Sequence, residues 1–144
     1  MELKLIELTH KNDICQTYEI YKHCMFIPTK EKFIKKIDIF LDDNSVKVFA
    51  CFSQGKLAGV IVVSFGEQHK VEILGIAVDM SARGKGIGSY MINQVVNDYS
   101  LLSVYAETDE DAVGFYRKNK FDITEFSKIY DTETVIRYKC ELTK

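Results

Sequence analysis

No segment of this 144-residue chain is long and apolar enough to span a bilayer. The longest apolar run, Leu57 to Val63, falls far short of the roughly 20 residues that a transmembrane helix needs. The acidic, patterned N-terminus lacks the apolar stretch of a signal peptide, so a cytoplasmic protein is expected. An excess of one charge is missing too. Lys and Arg number 19 against 21 Asp and Glu, interleaved rather than blocked, and the net charge is −2. That balance gives no electrostatic footprint for nucleic acid, and neither a nucleic acid nor a membrane is expected as partner. Metal-binding spacings are equally scarce: Cys15, Cys24, Cys51 and Cys140 form no C-x-x-C pair, and His10, His23 and His69 are unclustered. The cysteines read as buried thiols, and no metal is implied. Proline occurs only at Pro28, and no repeat, linker or low-complexity tract divides the chain. What is present, 47% apolar residues over residues 1–144, suits one soluble globular domain.

The apolar pattern predicts a mixed α/β order. Leu3, Leu5 and Leu8 open as a strand, and Thr9 then caps a helix carrying Ile14, Cys15, Tyr18, Tyr21 and Cys24 at helical spacing. Beyond Pro28 a second helix presents one buried stripe of Phe33, Ile34, Ile37 and Leu41, ending at Asp42, Asp43 and Asn44. Val46, Val48, Ala50 and Phe52 alternate as a strand, Gln54 and Gly55 turn, and Leu57 to Phe65 returns as the buried arm of a hairpin. After a looser turn at Gly66 and Glu67, the strand from Val71 to Val78 is apolar enough to be buried on both faces. Ile87, Met91, Val95 and Tyr99 mark a helix, and Leu101 to Ala106 a short strand. Thr108 with Asp111 resembles a capping box for a last helix, and strands Phe121 to Ile129 and Val135 to Leu142 close the chain.

Most of the functional information lies between Val71 and Ser89, where a strand runs into a basic, glycine-rich loop and then directly into a helix. Gly84, Gly86 and Gly88 let backbone N–H groups approach an anion without Cβ obstruction, and Arg83 and Lys85 add positive charge. The helix beginning near Ile87 points its unpaired N–H groups and roughly half an elementary charge at the same spot. This is a phosphate site. A P-loop is excluded, because Asp79 stands where its first glycine belongs and Gly86 replaces the magnesium-binding hydroxyl. A dinucleotide fingerprint is approximated by Gly84, Gly86 and Ser89, with Glu107 about 20 residues on, but Asp79 to Arg83 intervene between strand end and glycines.

Two motifs together resemble the GNAT superfamily of acyl-CoA-dependent N-acyltransferases. The first runs Arg83-Gly84-Lys85-Gly86-Ile87-Gly88 after an apolar strand, and the second runs from Asp109 through Ala112, Phe115 and Tyr116 to Phe121. The resemblance covers nearly the whole chain in element order. It implies an α/β single-domain αβα sandwich, with a mixed, mainly antiparallel sheet of about seven strands and about four helices. It also implies that acetyl-CoA is the co-substrate, held by Ile76, Ala77, Val78, Arg83, Gly84, Lys85, Gly86, Ile87, Gly88, Ser89 and Asp109. Two departures stand out. Asp109 replaces the usual Asn and cannot donate as an amide does, and Lys120 replaces the usual Gly, leaving Asn119 to take the left-handed turn.

Transfer from a thioester to an amine needs a neutral amine, a polarised carbonyl and a protonated leaving thiolate. The resemblance assigns the base to Glu72 on the strand before the loop, and the acid to Tyr116. It gives the carbonyl to backbone N–H groups near Ile76 and Val78, where the family's strand splays from its neighbour. Glu72 could equally be a solvated edge carboxylate or orient a cationic substrate, and Tyr116 could be an aromatic core residue. The acceptor, a small-molecule or peptide amine, is walled by the N-terminal helices and the turn Ser127 to Thr132, with Tyr21, Phe26 and Tyr130 as candidate lining. A homodimer is left open. The alternative function is a non-catalytic acyl-CoA-binding module of the same fold.

Overall fold

Runs of alternating apolar residues pair into one sheet in the computed structural model, which describes residues 2–144. Its strands are β1 (Leu3–Leu8), β2 (Val46–Ser53), β3 (Lys56–Phe65), β4 (Lys70–Val78), β5 (Ser103–Thr108), β6 (Asp122–Tyr130) and β7 (Glu133–Thr143). They lie in the order β1-β2-β3-β4-β5-β7-β6. All neighbours are antiparallel except β4 and β5, which run parallel. The helices are α1 (Lys11–Cys15), α2 (Tyr18–Tyr21), α3 (Lys30–Asp42), α4 (Ile87–Asp98) and α5 (Val113–Lys118), with 3-10 turns at Lys22–Cys24 and Met80–Ala82.

The sheet separates two cores. On one face α4 and α5 bring Ile87, Met91, Val95 and Tyr116 against Phe49, Ile61, Ile73, Val104 and Cys140. On the other, α1 to α3 set Ile14, Tyr21, Phe33 and Ile37 against Val48, Val60, Val62 and Ala77. This is the expected αβα sandwich, with five α-helices among the described residues where about four were expected. The additional one arises because buried Thr17 donates its hydroxyl to the Ile14 carbonyl at 2.7 Å, a back-bond that bends and interrupts helices. His10, not Thr9, precedes the first helical residue, and no side chain caps it.

Three further expectations are corrected. On α3 only Phe33 and Ile37 are buried, a pair four residues apart on one face, while Ile34 and Leu41 are exposed. β4 is buried on both faces only in part: Val71 and Ile73 are buried against the α4–α5 side and Ala77 against the α1–α3 side, but Glu72 is exposed and Leu74 is 40% exposed. Leu74 sits in a bulge, since Val62 pairs with Gly75 and Val63 with Ile73, leaving it unopposed. At the end of α5, Lys120 rather than Asn119 adopts the left-handed backbone, with φ 67. Asn119 keeps φ −92 and uses its amide to donate to the Phe115 carbonyl at 2.8 Å. A Cβ in that region costs about 1 kcal/mol. Lys120→Gly should therefore raise the melting temperature by about 2–5 °C, and an unchanged or lower value in thermal unfolding would show the turn to be unstrained.

Candidate active site

The sheet opens in its middle. β4 pairs with β5 only from Lys70 to Glu72, opposite Ser103 to Tyr105, although β4 continues to Val78 and β5 to Thr108. From Ile73 onward the edge of β4 that faces β5 carries no ladder, so Ile76, Ala77 and Val78 border a gap between parallel strands. On the β3 side they remain paired with Ile61, Val60 and Gly59. The divergence leaves backbone donors and acceptors on this edge of β4 without a strand partner.

The glycine loop closes one end of this gap. Asp79 accepts the Ser81 amide and hydroxyl and so fixes the turn leaving β4, and the Ser81 bonds hold its carboxyl below the usual range. Arg83 Nε donates to the Val78 carbonyl at 3.3 Å, which folds the loop back toward the strand. Gly84 and Gly86 adopt φ 79 and φ 77, conformations that a Cβ would strain. Gly86 is also the residue preceding α4, and its carbonyl accepts the Tyr90 N–H at 2.9 Å. That bond is the first of the helix, so the N–H groups of Ile87, Gly88 and Ser89 have no intrahelical acceptor. Their side chains are occupied elsewhere. Ile87 is core, a Cβ on Gly88 would lie 2.7 Å from the Phe115 ring, and the Ser89 hydroxyl donates to Asn119 Oδ1. Lys85 and Arg83 are exposed at the rim. The loop thus presents amides and cations, as an anionic diphosphate requires.

Asp109 does something the sequence had not suggested. Its Oδ1 accepts the Ala112 N–H at 3.1 Å and its carbonyl accepts the Val113 N–H at 3.0 Å, so it, not Thr108, shapes the turn that leads into α5. Thr108 is the last residue of β5. α5 then sets Tyr116 edge-on between Phe115 and Phe121, buried in the α4–α5 core. Burial pushes the Tyr116 phenol far above its ordinary pKa, keeping it a proton donor, and the hydroxyl senses the Cys24 and Cys140 thiols.

Cys24 comes from the opposite layer and corrects the expectation of four buried thiols. Cys51 and Cys140 are buried, Cys15 is intermediate and Cys24 is exposed. Its thiol nevertheless turns inward, donating to the Tyr21 carbonyl at 3.1 Å and facing the Ile76 backbone, and desolvation raises its pKa to about 11. Tyr21 itself is core rather than acceptor lining. A Cβ at Gly75 would lie 2.7 Å from Tyr21 Cζ, so glycine lets the ring settle on β4. Phe26, 88% exposed, and Tyr130 do face solvent.

Glu72 stands at the end of the gap away from the loop. It is exposed on the face that α1 to α3 cover as far as β4, and no residue of β5, β6 or β7 belongs to that core. Desolvation first, then the charge of Glu107, raise its pKa above the ordinary carboxylate value. On the neighbouring strand Tyr105 lies opposite Glu72 and donates its hydroxyl to Glu107 Oε2 at 2.7 Å. Neither Tyr105 nor Glu107 was singled out for the site from the sequence. The available signal was alternation, since Val104 and Ala106 point into the core and their neighbours to the other face. No group of three His, Cys, Asp or Glu able to hold a metal occurs among the described residues.

A gap between parallel strands has an amide-rich loop at one end and a raised carboxylate, Glu72, at the other, and Tyr116 is buried in the α4–α5 core on one side of the sheet. The family model of the acetyltransferase (GNAT) family matches residues 14–121, and the chain belongs to that family. Its fold is similar to that of an acetyltransferase from Bacillus subtilis solved with CoA: 18% identity, 99% of each chain covered, TM-score 0.71. A mutant spermidine N-acetyltransferase from Vibrio cholerae matches at 15% identity over 98% of this chain and 93% of that one, TM-score 0.74. A ribosomal-protein-alanine N-acetyltransferase from Escherichia coli matches at 14% identity over 99% and 94%, TM-score 0.72. Comparison with curated protein sequences finds no significant match.

Proposed function

We propose that the chain transfers an acetyl group from acetyl-CoA to a primary amine by direct attack in a ternary complex. The observation that carries this reading is the β4–β5 gap, open from the α4 loop to Glu72 and lined by unpaired backbone. The amides of Gly86, Ile87, Gly88 and Ser89, with Arg83 and Lys85, would hold the pyrophosphate. Ile76, Ala77 and Val78 would pair with the pantetheine amides as a missing strand does, and N–H groups near Ile76 and Val78 would polarise the thioester carbonyl. Asp109 is occupied in the turn before α5, and its contribution to coenzyme binding would be through the position of that helix.

A lysine-like amine with pKa about 10.4 is neutral about one part in a thousand near pH 7.4, a barrier of about 4 kcal/mol. Glu72 would take that proton, directly or through a water, and its raised pKa makes it a better base than an ordinary carboxylate. Tyr116 would give its phenolic proton to the departing thiolate. The acceptor would approach over the uncovered half of the sheet, past Phe26 and Tyr130. No helix among the described residues is long and apolar enough to cross a membrane, and the need for acetyl-CoA supports a cytoplasmic setting.

A panel of primary amines, with free thiol released from acetyl-CoA as readout, tests the reading; CoA binding without turnover of any amine would make the chain a binding module. Before turnover is known, acetyl-CoA and CoA should raise the melting temperature through binding to the native state, whereas NADH and ATP should not. Gly86→Glu should abolish the shift, since it strains a left-handed backbone and sets a carboxylate against phosphate. Equal CoA stabilisation of that variant would remove the loop from the binding site.

A further inference from the structure

The uncovered half of the sheet carries a pair of carboxylates that the catalytic scheme uses only in part. On the face opposite the α4–α5 core, Glu72 of β4 lies across from Tyr105, and Glu107 stands two residues further along β5 on the same side. Lys139 of β7 is opposite Glu107 in the ladder, yet its ammonium sits 5.2 Å above the Phe126 ring instead. Neither Glu72 nor Glu107 forms an ion pair among the described residues. Among the described residues, the only polar side-chain partner of either is the Tyr105 hydroxyl, which bonds one oxygen of Glu107.

We propose that Glu107, oriented by Tyr105, is a positioning residue that seats the ammonium of the acceptor jointly with Glu72. The inference rests on the amine acetylation proposed above. Two carboxylates without a cation of their own repel each other until a positive group arrives between them. A protonated amine is that group, and an uncharged nucleophile is not. Once the ammonium has delivered a proton to Glu72, Glu107 remains ionised beside it, which favours holding that proton. Tyr105 is suited to the task because burial, followed by its bond to Glu107, raises its pKa to about 12, so it donates throughout the working range.

Several other groups share the surroundings of Glu72. Ser64 is its partner on β3, Lys70 precedes it by two on β4, and Glu141 and Lys139 flank Tyr105 and Glu107 from β7. The turn Lys22–Cys24 lies toward the other end of β4, where Cys24 faces the Ile76 backbone and His23 acts on Asp79, and Lys22 is paired with Glu19 at 2.6 Å. Of these charges, Glu107 is the one that raises the Glu72 pKa. The arrangement also selects between acceptors. It favours those carrying positive charge at or beside the reacting nitrogen over weakly basic arylamines, which are neutral near pH 7 and give the pair nothing to bind.

The test is a carboxyl titration by NMR of protein labelled with ¹³C-glutamate and saturated with CoA, with n-propylammonium as probe and 1-propanol as neutral control. In the wild type, the Glu72 and Glu107 signals should both move with the ammonium and neither with the alcohol. Glu107→Gln should bring the Glu72 midpoint down toward the ordinary carboxylate range. It should also raise the half-saturating ammonium concentration by about tenfold, the usual weight of one charge-assisted contact. Tyr105→Phe, which keeps the ring and Glu107, should give a smaller shift in the same directions. If amine turnover is measured, Glu107→Gln should raise KM for the amine by a similar factor, with kcat little changed, and move the acid limb of kcat/KM to lower pH. An unmoved Glu107 signal together with an unchanged Glu72 midpoint in Glu107→Gln would overturn the inference. The titration needs no turnover, so it decides the matter even if no amine is acetylated, an outcome that overturns only the proposed function.

Discussion

Glu72→Gln should lower kcat/KM by roughly a hundredfold or more near pH 7, because the amide keeps the shape of the side chain but cannot accept a proton from the incoming ammonium. The loss should shrink as pH rises toward the pKa of the amine, where solvent performs the deprotonation. The wild-type acid limb should lie above an ordinary carboxylate pKa, since desolvation and Glu107 hold Glu72 protonated to higher pH. The same shift predicts the effect on stability. A carboxyl whose folded pKa is raised stabilises the fold fully below its unfolded pKa, and that contribution is lost as pH rises through the folded value. At pH 7 the ionised Glu72 therefore weakens the fold, and Glu72→Gln should melt no lower than wild type. Wild-type kcat and KM at every pH from 6.5 to 9.5 would remove Glu72 from the reaction, whereas a raised KM with wild-type kcat would leave it only an orienting role.

Tyr116→Phe should lower kcat by roughly ten- to a thousandfold, the range for losing a positioned proton donor, with little change in affinity for CoA. The substitution leaves the edge-on contacts with Phe115 and Phe121 intact, so the fold is preserved while the proton is removed. Because burial raises the phenol pKa far above its ordinary value, the wild-type tyrosine should stay protonated through the same pH range. An unchanged kcat, with chemistry shown to be rate-limiting, would make Tyr116 a packing residue of the α4–α5 core.

The parts of the candidate site that are continuous in the chain were legible in the sequence as local structure. An apolar strand, three alternating glycines and an amphipathic helix predict the loop and the start of α4, because backbone amides, not distant partners, form that site. The parts that depend on pairing were not. The expectation that β4 is buried on both faces holds for Val71, Ile73 and Ala77 but missed the exposure of Leu74, whose bulge appears only when β3 and β4 are set in register. The break at Thr17 follows from a side-chain bond formed on burial, and helical spacing on both sides of it looked continuous. At the end of α5, helix-terminus preference favoured Asn119 for the left-handed position, but its bond to the Phe115 carbonyl retains it in the helix and passes that position to Lys120. Tyr105 escaped notice, and Glu107 was weighed only against a dinucleotide fingerprint, because a short strand with alternating polar residues reads as an ordinary half-exposed strand. Only the departure of β5 from β4 gives those residues an open surface to face.

Initial rates measured as a matrix of acetyl-CoA and acceptor amine concentrations test the central claim, direct attack in a ternary complex, most directly. Cys24 is the one thiol facing the β4 backbone at the gap, and with its pKa raised to about 11 it is overwhelmingly the weakly nucleophilic thiol at neutral pH. The acetyl group should therefore never reside on the protein. Double-reciprocal plots should intersect, and denatured enzyme incubated with acetyl-CoA alone should carry no acetyl adduct at Cys24. Parallel lines together with an acetylated Cys24 would contradict the account and replace direct attack by a two-step transfer through the enzyme.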